Sequence, residues 1–289
     1  MTHVGDRSLV DGAARSRSFA VFDASFEVVS APDWVERVET VFAALPRSAM
    51  PVTTRFEIAA AAEIENGARG LGLADLRLDG HMILRSVRPY AILDRLVWEV
   101  NQLAWRSYPS RVLVHAGAIE VDGRAVIISG PSGAGKTTLT TALCVAGAGY
   151  LSDEIAVVDP EQHSILPYPK PLSLRSGTRE RFAVLAPPPS LAGVMGSSWY
   201  VPLAPAGAAP LSLVVFVDHD DERSTVLRRV PRAEALLRLC DQTPALARQG
   251  AFAFRSLAEA VRSADCVDLV ANDLELAVQL VLDEVRGRS

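Results

Sequence analysis

The sequence predicts an α/β fold built around a phosphate-binding loop, preceded by a smaller α+β domain. Residues 130–137 match the P-loop pattern G-x-x-x-x-G-K-[ST] at every position. A β-rich apolar run leads into this match, and a segment of helical character follows it. Ahead of the loop, two β-rich runs are separated by Asp122-Gly123, which is a strong signal for a two-residue hairpin. Together these three observations predict strands and helices arranged around a nucleotide site.

Composition narrows the class of protein. The chain has 289 residues, of which 49% are hydrophobic and 22% charged, the ordinary balance of a globular protein. A net charge of -5 disfavours a nucleic-acid partner, because phosphate backbones select basic surfaces. The three cysteines are scattered without metal-ligand spacing, which is typical of a reducing, cytoplasmic location. No apolar run approaches the roughly 18 residues of a membrane span, so we expect no membrane partner.

The region before the P-loop domain carries no motif with recognisable chemistry. Residues 1–17 are polar and rich in Gly, Ser and Arg, so we expect a disordered leader there. Residues 18–109 are predicted to form the small α+β domain. The expected elements are strands at 19–29 and 53–59, a helix at 34–44, a hairpin of 76–78 with 82–87 around Asp79-Gly80, and a helix after Pro89. That last helix has its apolar residues on one stripe: Leu93, Leu96, Val97, Val100 and Ala104.

Residues 110–289 are predicted to form the P-loop domain. The continuous apolar run 211–217 predicts a central strand that is covered on both faces. Residues 186–210 are rich in Pro, Ala and Gly around Trp199-Tyr200, which favours a mobile loop and a candidate acceptor-binding lid. The other expected elements are strands at 112–121 and 124–129, a helix at 136–146, a strand through Tyr150-Leu151, a hairpin of 155–159 with 164–166, and a last helix capped by Asn272.

The loop pattern itself predicts the chemistry of a nucleoside triphosphate site. Its glycines let successive backbone N–H groups point inward as a nest for phosphates, and the following helix adds the positive end of its dipole. Lys136 would reach the outer two phosphates, Thr137 would hold Mg²⁺, and Thr138 would bind an inner phosphate. The predicted nucleotide-binding residues are Gly130, Ser132, Gly133, Ala134, Gly135, Lys136, Thr137 and Thr138.

Two carboxylates are the candidates for the acid that such a site needs beside the terminal phosphate. Asp153 and Glu154 follow the P-loop helix and a returning strand, which we expect to neighbour the P-loop strand. Adjacent residues of an extended chain point to opposite sides, so one carboxylate would face the acceptor and the other the metal or an outer layer of side chains. An ordinary acidic turn is the alternative interpretation.

Other polar residues leave the assignment open. His115 lies within a predicted strand, where a histidine is either a satisfied core residue or a functional group. Residues 218–221 end an apolar strand in the manner of a Walker-B motif, although an acidic surface turn is the preferred interpretation. A P-loop alone serves GTPases, transport ATPases and phosphotransferases. The sequence lacks the N/TKxD guanine signature and any LSGGQ-like segment, which weakens the first two classes.

At this point the motifs resemble those of a known family. The runs Val114-His115-Ala116-Gly117-Ala118, the P-loop, Leu151-Ser152-Asp153-Glu154 and residues 166–175 are similar to HPr kinase/phosphorylase, and more closely to HPr-kinase-related proteins. The resemblance implies a P-loop core akin to that of phosphoenolpyruvate carboxykinase, with ATP and Mg²⁺. It implies Asp153 as the catalytic carboxylate, Glu154 as an acidic neighbour that joins Asp153 and Thr137 at the metal, and His115 and Lys136 beside the phosphates.

The chain also departs from that family. HPr kinases carry a glutamate in an L-E-I-R-G segment, where this chain has Leu172-Ser173-Leu174-Arg175-Ser176. The difference argues against a reverse phosphorylase activity and against HPr as the substrate. Some related proteins phosphorylate a serine of ribosomal peptides, including lasso peptides, which implies a peptide, protein or small-molecule hydroxyl as acceptor. The family also implies a homo-oligomer, although no residue pattern in this sequence indicates one independently.

We therefore predict an ATP-dependent kinase that transfers the terminal phosphate to a hydroxyl group, with Arg175 either beside that phosphate or at the surface. Two alternatives remain open at the level of sequence. The chain could be a nucleotide-hydrolysing switch, or a partner-binding module that keeps the P-loop for stability. Substitutions of Lys136 and Asp153 distinguish these three hypotheses. Each hypothesis predicts a different result when nucleotide binding is lost and when the acid is lost.

Overall fold

The protein is described by a computed structural model that covers residues 13–60, 73–220 and 222–287. It is a mixed α/β structure that divides into two compact units. The first unit comprises the chain up to Ser107 together with Pro187–Ser197, and the second comprises Tyr108–Ala186 with the chain from Ser198 onward. No helix in these described ranges has both the length and the apolar character that crossing a bilayer requires.

In its described residues, the first unit is a sheet with two α-helices, together with a 3-10 helix at Pro189–Val194. Its elements are β1 (Ala14–Arg15), β2 (Phe19–Val21), β3 (Ala24–Ser30), α1 (Pro32–Val41), β4 (Thr54–Ala60), β5 (Ala74–Leu78), β6 (His81–Ser86) and α2 (Pro89–Arg106). The strand order is β1-β3-β4-β5-β6, with β2 also paired to β3. β3 and β4 run parallel because α1 connects them, and the other pairs are antiparallel.

Aromatic packing forms the centre of the first unit. The rings of Phe19, Phe26, Phe42 and Phe56 lie with neighbouring centroids 5.0 to 5.9 Å apart, and all four side chains are buried. The predicted hairpin at Asp79-Gly80 is confirmed, and both residues have positive φ. The predicted apolar stripe of α2 is buried as expected.

The N-terminal expectation needs one correction. Residues 1–12 of the expected leader lie outside the described residues. Residues 14 and 15 are not part of an irregular leader, because Ala14 pairs with Ser30 and Arg15 with Val29. Edge pairing satisfies backbone groups whatever the polarity of the side chains, which is why the polar composition did not reveal this strand.

The second unit contains the P-loop. Its elements are β7 (Val112–Val114), β8 (Gly117–Val121), β9 (Arg124–Ser129), α3 (Lys136–Val145), β10 (Gly149–Ser152), β11 (Ala156–Asp159), β12 (Ser164–Leu166), β13 (Leu172–Arg175), α4 (Thr178–Arg181), β14 (Ser198–Val201), β15 (Ala209–Asp218), β16 (Val226–Arg229), α5 (Arg232–Asp241), α6 (Leu246–Gln249), α7 (Ala251–Ser263), β17 (Asp265–Val270) and α8 (Leu274–Arg286). Nine of its described strands form one sheet, and β13 pairs with β14 separately.

β15 lies at the centre of the nine-stranded sheet. It runs parallel to β9 on one side and to β17 on the other, and its first residues pair antiparallel with β12. Its side chains alternate between two cores. Val214 and Phe216 pack with α5 and α7, whereas Val215 and Val217 pack with α3 and α8. Burial on both faces explains the continuous apolar run and confirms the predicted central strand.

The strand that leads to the acidic pair is not where the sequence placed it. We expected it beside the P-loop strand, but β10 pairs with β8, which lies between β10 and β9. Both pairings are antiparallel, so β10 and β9 run in the same direction and end at the same edge of the sheet. The acids therefore reach the edge that carries the P-loop even though the neighbour was predicted wrongly.

Two local predictions are also corrected. The segment 186–210, which we expected to be a mobile loop, contains β14, in which Trp199 pairs with Leu174 and Tyr200 with Ser173. Strand pairing with β13 outweighs the loop-like composition around it. The last helix is capped by Asp273 rather than Asn272, because the Asp273 carboxylate accepts the N–H groups of Glu275 and Leu276.

Candidate active site

The P-loop has a conformation that three glycines make possible. β9 delivers the chain to Gly130, and α3 begins at Lys136. Gly133 and Gly135 have φ of 86° and 94°, the left-handed region that residues with a Cβ rarely adopt. A Cβ on Gly130 would lie 2.5 Å from the carbonyl oxygen of Val217 on β15. The loop can therefore follow this path only with glycine at these positions.

Lys136 lies over the loop that precedes it. Its Nζ donates to the carbonyl oxygens of Gly130 at 2.8 Å and Pro131 at 3.0 Å. Burial lowers the pKa of Lys136, and the negative charge of Glu154 partly opposes that effect. An ammonium group has three N–H donors, so two hold the amine in place and one is left for an anion.

A cavity of about 410 Å³ opens at the N-terminus of α3. Its wall contains most of the predicted nucleotide residues together with the predicted acids: His115, Ser132, Gly133, Gly135, Lys136, Thr137, Thr138, Asp153, Glu154, Ser173, Arg175, Ser176 and Thr178. The Thr138 and Thr178 hydroxyl oxygens lie 3.3 Å apart across it. The fold thus brings residues from four separate stretches of sequence to one opening.

Two predicted nucleotide residues lie outside this wall. Gly130 contributes its carbonyl to Lys136 rather than a surface to the cavity. Ala134 is buried with the apolar residues beneath the loop, and its N–H donates to the Pro131 carbonyl at 3.3 Å. Both residues shape the loop from behind.

The two acids lie in a turn rather than in an extended strand. β10 ends at Ser152, whose hydroxyl oxygen accepts the N–H of Glu154 at 3.3 Å and of Ile155 at 3.0 Å. Because the chain bends there, Asp153 and Glu154 both line the cavity, and the expectation that they point to opposite sides is wrong. A serine that accepts N–H groups two and three residues ahead is a recognised turn signal, so sequence could have indicated this bend.

Asp153 is held by a buried network. Its Oδ1 accepts a hydrogen bond from Lys170 Nζ at 2.7 Å and shares the single proton of the Tyr150 hydroxyl, 3.2 Å away, with the Lys170 carbonyl oxygen, which lies 3.0 Å from that hydroxyl. Its Oδ2 accepts the Ser173 N–H at 3.3 Å. The side chains of Asp153 and Lys170 are each only 1% exposed. Burial, reinforced by the charge of Asp153, raises the pKa of Tyr150 well above its ordinary value, which keeps its hydroxyl a donor.

Lys170 is the partner of Asp153 that sequence reasoning missed. Besides Asp153, its ammonium group donates to the Pro171 carbonyl at 3.1 Å and to the Ser173 hydroxyl at 3.2 Å. All three donors are therefore satisfied, which is what a buried lysine requires. The flanking residues Pro169 and Pro171 were visible in the sequence, but they gave no indication of the partner.

Glu154 and His115 form the more exposed part of the wall. Their side chains are 35% and 34% exposed, and His115 Nδ1 lies 3.4 Å from Glu154 Oε1. His115 is not within a strand, as predicted, but in the break between β7 and β8, where its N–H donates to the Gln242 carbonyl at 2.7 Å. That break turns the imidazole toward the cavity instead of into the core.

The remaining candidates divide between this cavity and its surroundings. Arg175, at the end of β13, lines the cavity, is exposed, and forms no ion pair with another described residue. Asp218 lies at the exposed end of β15 and lines a different opening with Pro131. Asp221 lies outside the described residues. The resemblance of this run to a Walker-B ending is therefore not matched by a place in the cavity that holds Lys136.

The wall fits a triphosphate with a magnesium ion. The backbone nest and Lys136 suit phosphate oxygens. Within the described parts of the chain, no cluster of three or more His, Cys, Asp or Glu side chains could hold a metal by itself. Unlike zinc, magnesium does not need such a cluster, because it is usually held by one or two carboxylates together with substrate phosphates and water. The Thr137 hydroxyl and the Glu154 carboxylate are the groups in the wall suited to that purpose.

Comparisons with known proteins add little beyond this geometry. No protein-family model matches the sequence, and neither does any curated protein. A solved structure of the Hpr(Ser) kinase/phosphatase from Coxiella burnetii aligns with 13% identity and a TM-score of 0.31, over 61% of this chain and 95% of that chain. A TM-score this low assigns neither a family nor an activity.

Proposed function

We propose that the protein is a kinase that binds ATP with Mg²⁺ at the P-loop and transfers the terminal phosphate to a hydroxyl group. The observation that carries the proposal is that Asp153 and Glu154 line the same cavity as Lys136 and Thr137. A P-loop that only bound nucleotide would have no need for two acids at the outer end of the phosphates. A phosphotransferase needs at least one, to orient the attacking oxygen.

The roles of the residues follow from their surroundings. Asp153 accepts three hydrogen bonds, of which Oδ2 has only the long one from the Ser173 N–H, so Oδ2 retains capacity for the proton of an acceptor hydroxyl. As that O–H bond breaks, the acceptor oxygen bonds to the γ-phosphorus and the bond to the β-phosphate oxygen breaks. Lys136 and Arg175 supply positive charge toward the phosphate oxygens. Magnesium, when bound with the nucleotide, adds further positive charge there, and Thr137 and Glu154 would hold it.

Lys170 acts on this chemistry through Asp153. Its 2.7 Å contact fixes Oδ1 and thereby sets the direction in which Oδ2 points. A loose phosphoryl-transfer transition state demands little proton abstraction, so positioning of the acceptor matters more than the strength of the base. A carboxylate paired with a buried ammonium suits that requirement.

The acceptor is proposed by class. The cavity is polar and rich in hydroxyl side chains, as expected for a site that orients a phosphate and an alcohol. The resemblance of residues 166–175 to HPr-kinase-related proteins, some of which phosphorylate peptides, favours a serine of a peptide or protein over a small-molecule alcohol. Arg175 and Ser176, at the cavity wall, are placed to contact such an acceptor.

A nucleotide-hydrolysing switch is the second candidate, and one observation favours it. Glu154 is 35% exposed beside His115, whereas Asp153 is almost wholly buried, so Glu154 is the better placed of the two to orient a water molecule. In a switch, Glu154→Gln would abolish ATP hydrolysis and Asp153→Asn would leave it nearly intact. In a kinase, Asp153→Asn removes transfer to the acceptor.

The test uses the full chain, Mg²⁺ and ATP labelled at the γ-phosphate, with a panel of serine-containing peptides and small polyols as acceptors. Lys136→Ala is expected to abolish ATP binding measured by calorimetry, since it removes the phosphate cation. Asp153→Asn is expected to keep ATP affinity within a few-fold and to lower transfer about 100-fold or more, the scale for loss of one acid–base group. Retention of label transfer in Asp153→Asn would refute the proposed role of this carboxylate.

A further inference from the structure

A second cavity of about 800 Å³ lies beside the phosphate site and has no role in the chemistry described above. One wall is the C-terminal half of α3, with Ala142, Val145 and Ala146. The opposite wall is the chain around α4, with Phe182 and Val184. The start of α8 closes the third side.

This cavity and the phosphate cavity share two walls. On α3, Thr138 lines the phosphate cavity and Ala142 lines the second one, four residues further along. Residues four apart lie on the same face of a helix, about 6 Å apart along its axis. On the facing chain, Thr178 lines the first cavity and Phe182 the second. The Thr138 and Thr178 hydroxyl oxygens, 3.3 Å apart, lie across this trough on the side of the phosphate cavity.

The walls of the second cavity have the chemistry of a pocket for a flat, largely apolar ring. Ala142 and Phe182 are buried and form an apolar floor. Val145 and Val184 at the rim are 50% and 79% exposed, so their side chains are accessible to a ligand. Four of the eleven lining residues are polar: Arg181, Asn272, Asp273 and Glu275. Apolar sides with a few polar groups are typical of small-molecule sites.

We propose that this second cavity holds the nucleoside half of the triphosphate whose phosphates bind the P-loop. This inference rests on the proposed nucleotide binding. A chain of phosphates anchored at the first turn of α3 has its base and sugar along the trough, because Thr138 and Thr178 continue the walls of the phosphate cavity toward Ala142 and Phe182. The base packs between Val145 on one side and Val184 on the other, and the sugar crosses the Thr138–Thr178 contact.

The test compares ATP with tripolyphosphate, each with Mg²⁺, in calorimetric titrations of the full chain. Tripolyphosphate presents the phosphates without a nucleoside, so the wild-type protein is expected to bind ATP more tightly. In the double variant Val145→Asn with Val184→Asn, ATP affinity is expected to fall about tenfold, which corresponds to about 1.4 kcal/mol. The affinity for tripolyphosphate is expected to stay within twofold. Both valines are exposed at the rim, so the substitutions do not disturb the core.

The matched control is Leu237→Asn, which replaces a 63%-exposed apolar residue on α5, an element that does not line this cavity. It is expected to change neither affinity. Equal weakening of both ligands in the double variant, or no weakening of either, would overturn the nucleoside pocket. So would equal wild-type affinity for ATP and tripolyphosphate. If the wild-type chain binds neither ligand, the proposed nucleotide function fails instead, and the two failures are thereby distinguished.

Photolabelling provides a second measurement. With 8-azido-ATP, irradiation is expected to modify peptides that contain Val145 or Val184, and excess ATP is expected to prevent this. Labelling confined to other peptides would contradict the assignment.

Discussion

Replacement of Lys170 by methionine probes the network that holds the proposed catalytic acid. The Lys170 and Asp153 side chains are each 1% exposed and lie 2.7 Å apart, so methionine leaves the Asp153 carboxylate buried without its counter-charge. Breaking a buried pair by removing one partner costs about 3–5 kcal/mol. At roughly 2–4 °C per kcal/mol for a domain of this size, the melting temperature is expected to fall by about 10 °C.

The double variant Lys170→Met with Asp153→Asn separates the charge effect from the packing effect. Asparagine removes the uncompensated charge but keeps an acceptor for the Tyr150 hydroxyl, so most of the lost stability is expected to return. The free energy of unfolding is measured in urea, by circular dichroism, for the wild type, both single variants and the double variant. The expected interaction energy exceeds about 1 kcal/mol, as for residues within one buried network.

Arg286→Met is the control for the loss of an ion pair at the surface. Arg286 lies 3.1 Å from Asp122, with side chains 54% and 68% exposed. Exposed pairs contribute about 0–1 kcal/mol, so this variant is expected to unfold almost as the wild type does. If Lys170→Met costs no more than Arg286→Met, or if the two single costs simply add in the double variant, the buried network does not hold Asp153 as argued.

Two further predictions concern the loop and the first unit. Gly130→Ala places a Cβ 2.5 Å from the Val217 carbonyl oxygen, so β15 and the loop must separate. We expect the free energy of unfolding to fall by about 1–3 kcal/mol and ATP binding, measured by calorimetry, to be lost. An unchanged ATP affinity would contradict the close approach. The hydrogen bond from Arg85 holds the pKa of Asp75 below its ordinary value. The Asp75 carboxylate therefore stabilises the fold when the pH is above the ordinary, unfolded pKa, and this contribution is lost as the pH falls through the lower pKa of the folded state. Urea midpoints between about pH 6 and pH 3 are therefore expected to fall less steeply in Arg85→Met than in the wild type, and parallel curves would refute the linkage.

Much of the second unit was predictable because its signals are local. The Asp122-Gly123 turn depends on two adjacent residues that tolerate positive φ, and both adopt it. The conformation of the P-loop follows from Gly133 and Gly135 in the same way. The apolar run of β15 predicted a strand buried on both faces without any knowledge of its neighbours. In each case the determining residues are next to one another in the chain.

The arrangement of the candidate site depended on contacts between distant residues. The antiparallel pairings of β8 with β10 and with β9 set the direction of β10, and that direction decides which edge Asp153 reaches. The partner of Asp153, Lys170, lies seventeen residues further along the chain and is brought to it only when the segment before β13 packs beneath the turn. The sequence by itself predicted a phosphate-binding loop and its position, because glycine conformation and hydrophobic period act locally. Only the tertiary structure decided that Asp153 is buried and paired with Lys170 while Glu154 is 35% exposed, because charge pairing depends on distances that long-range strand order sets.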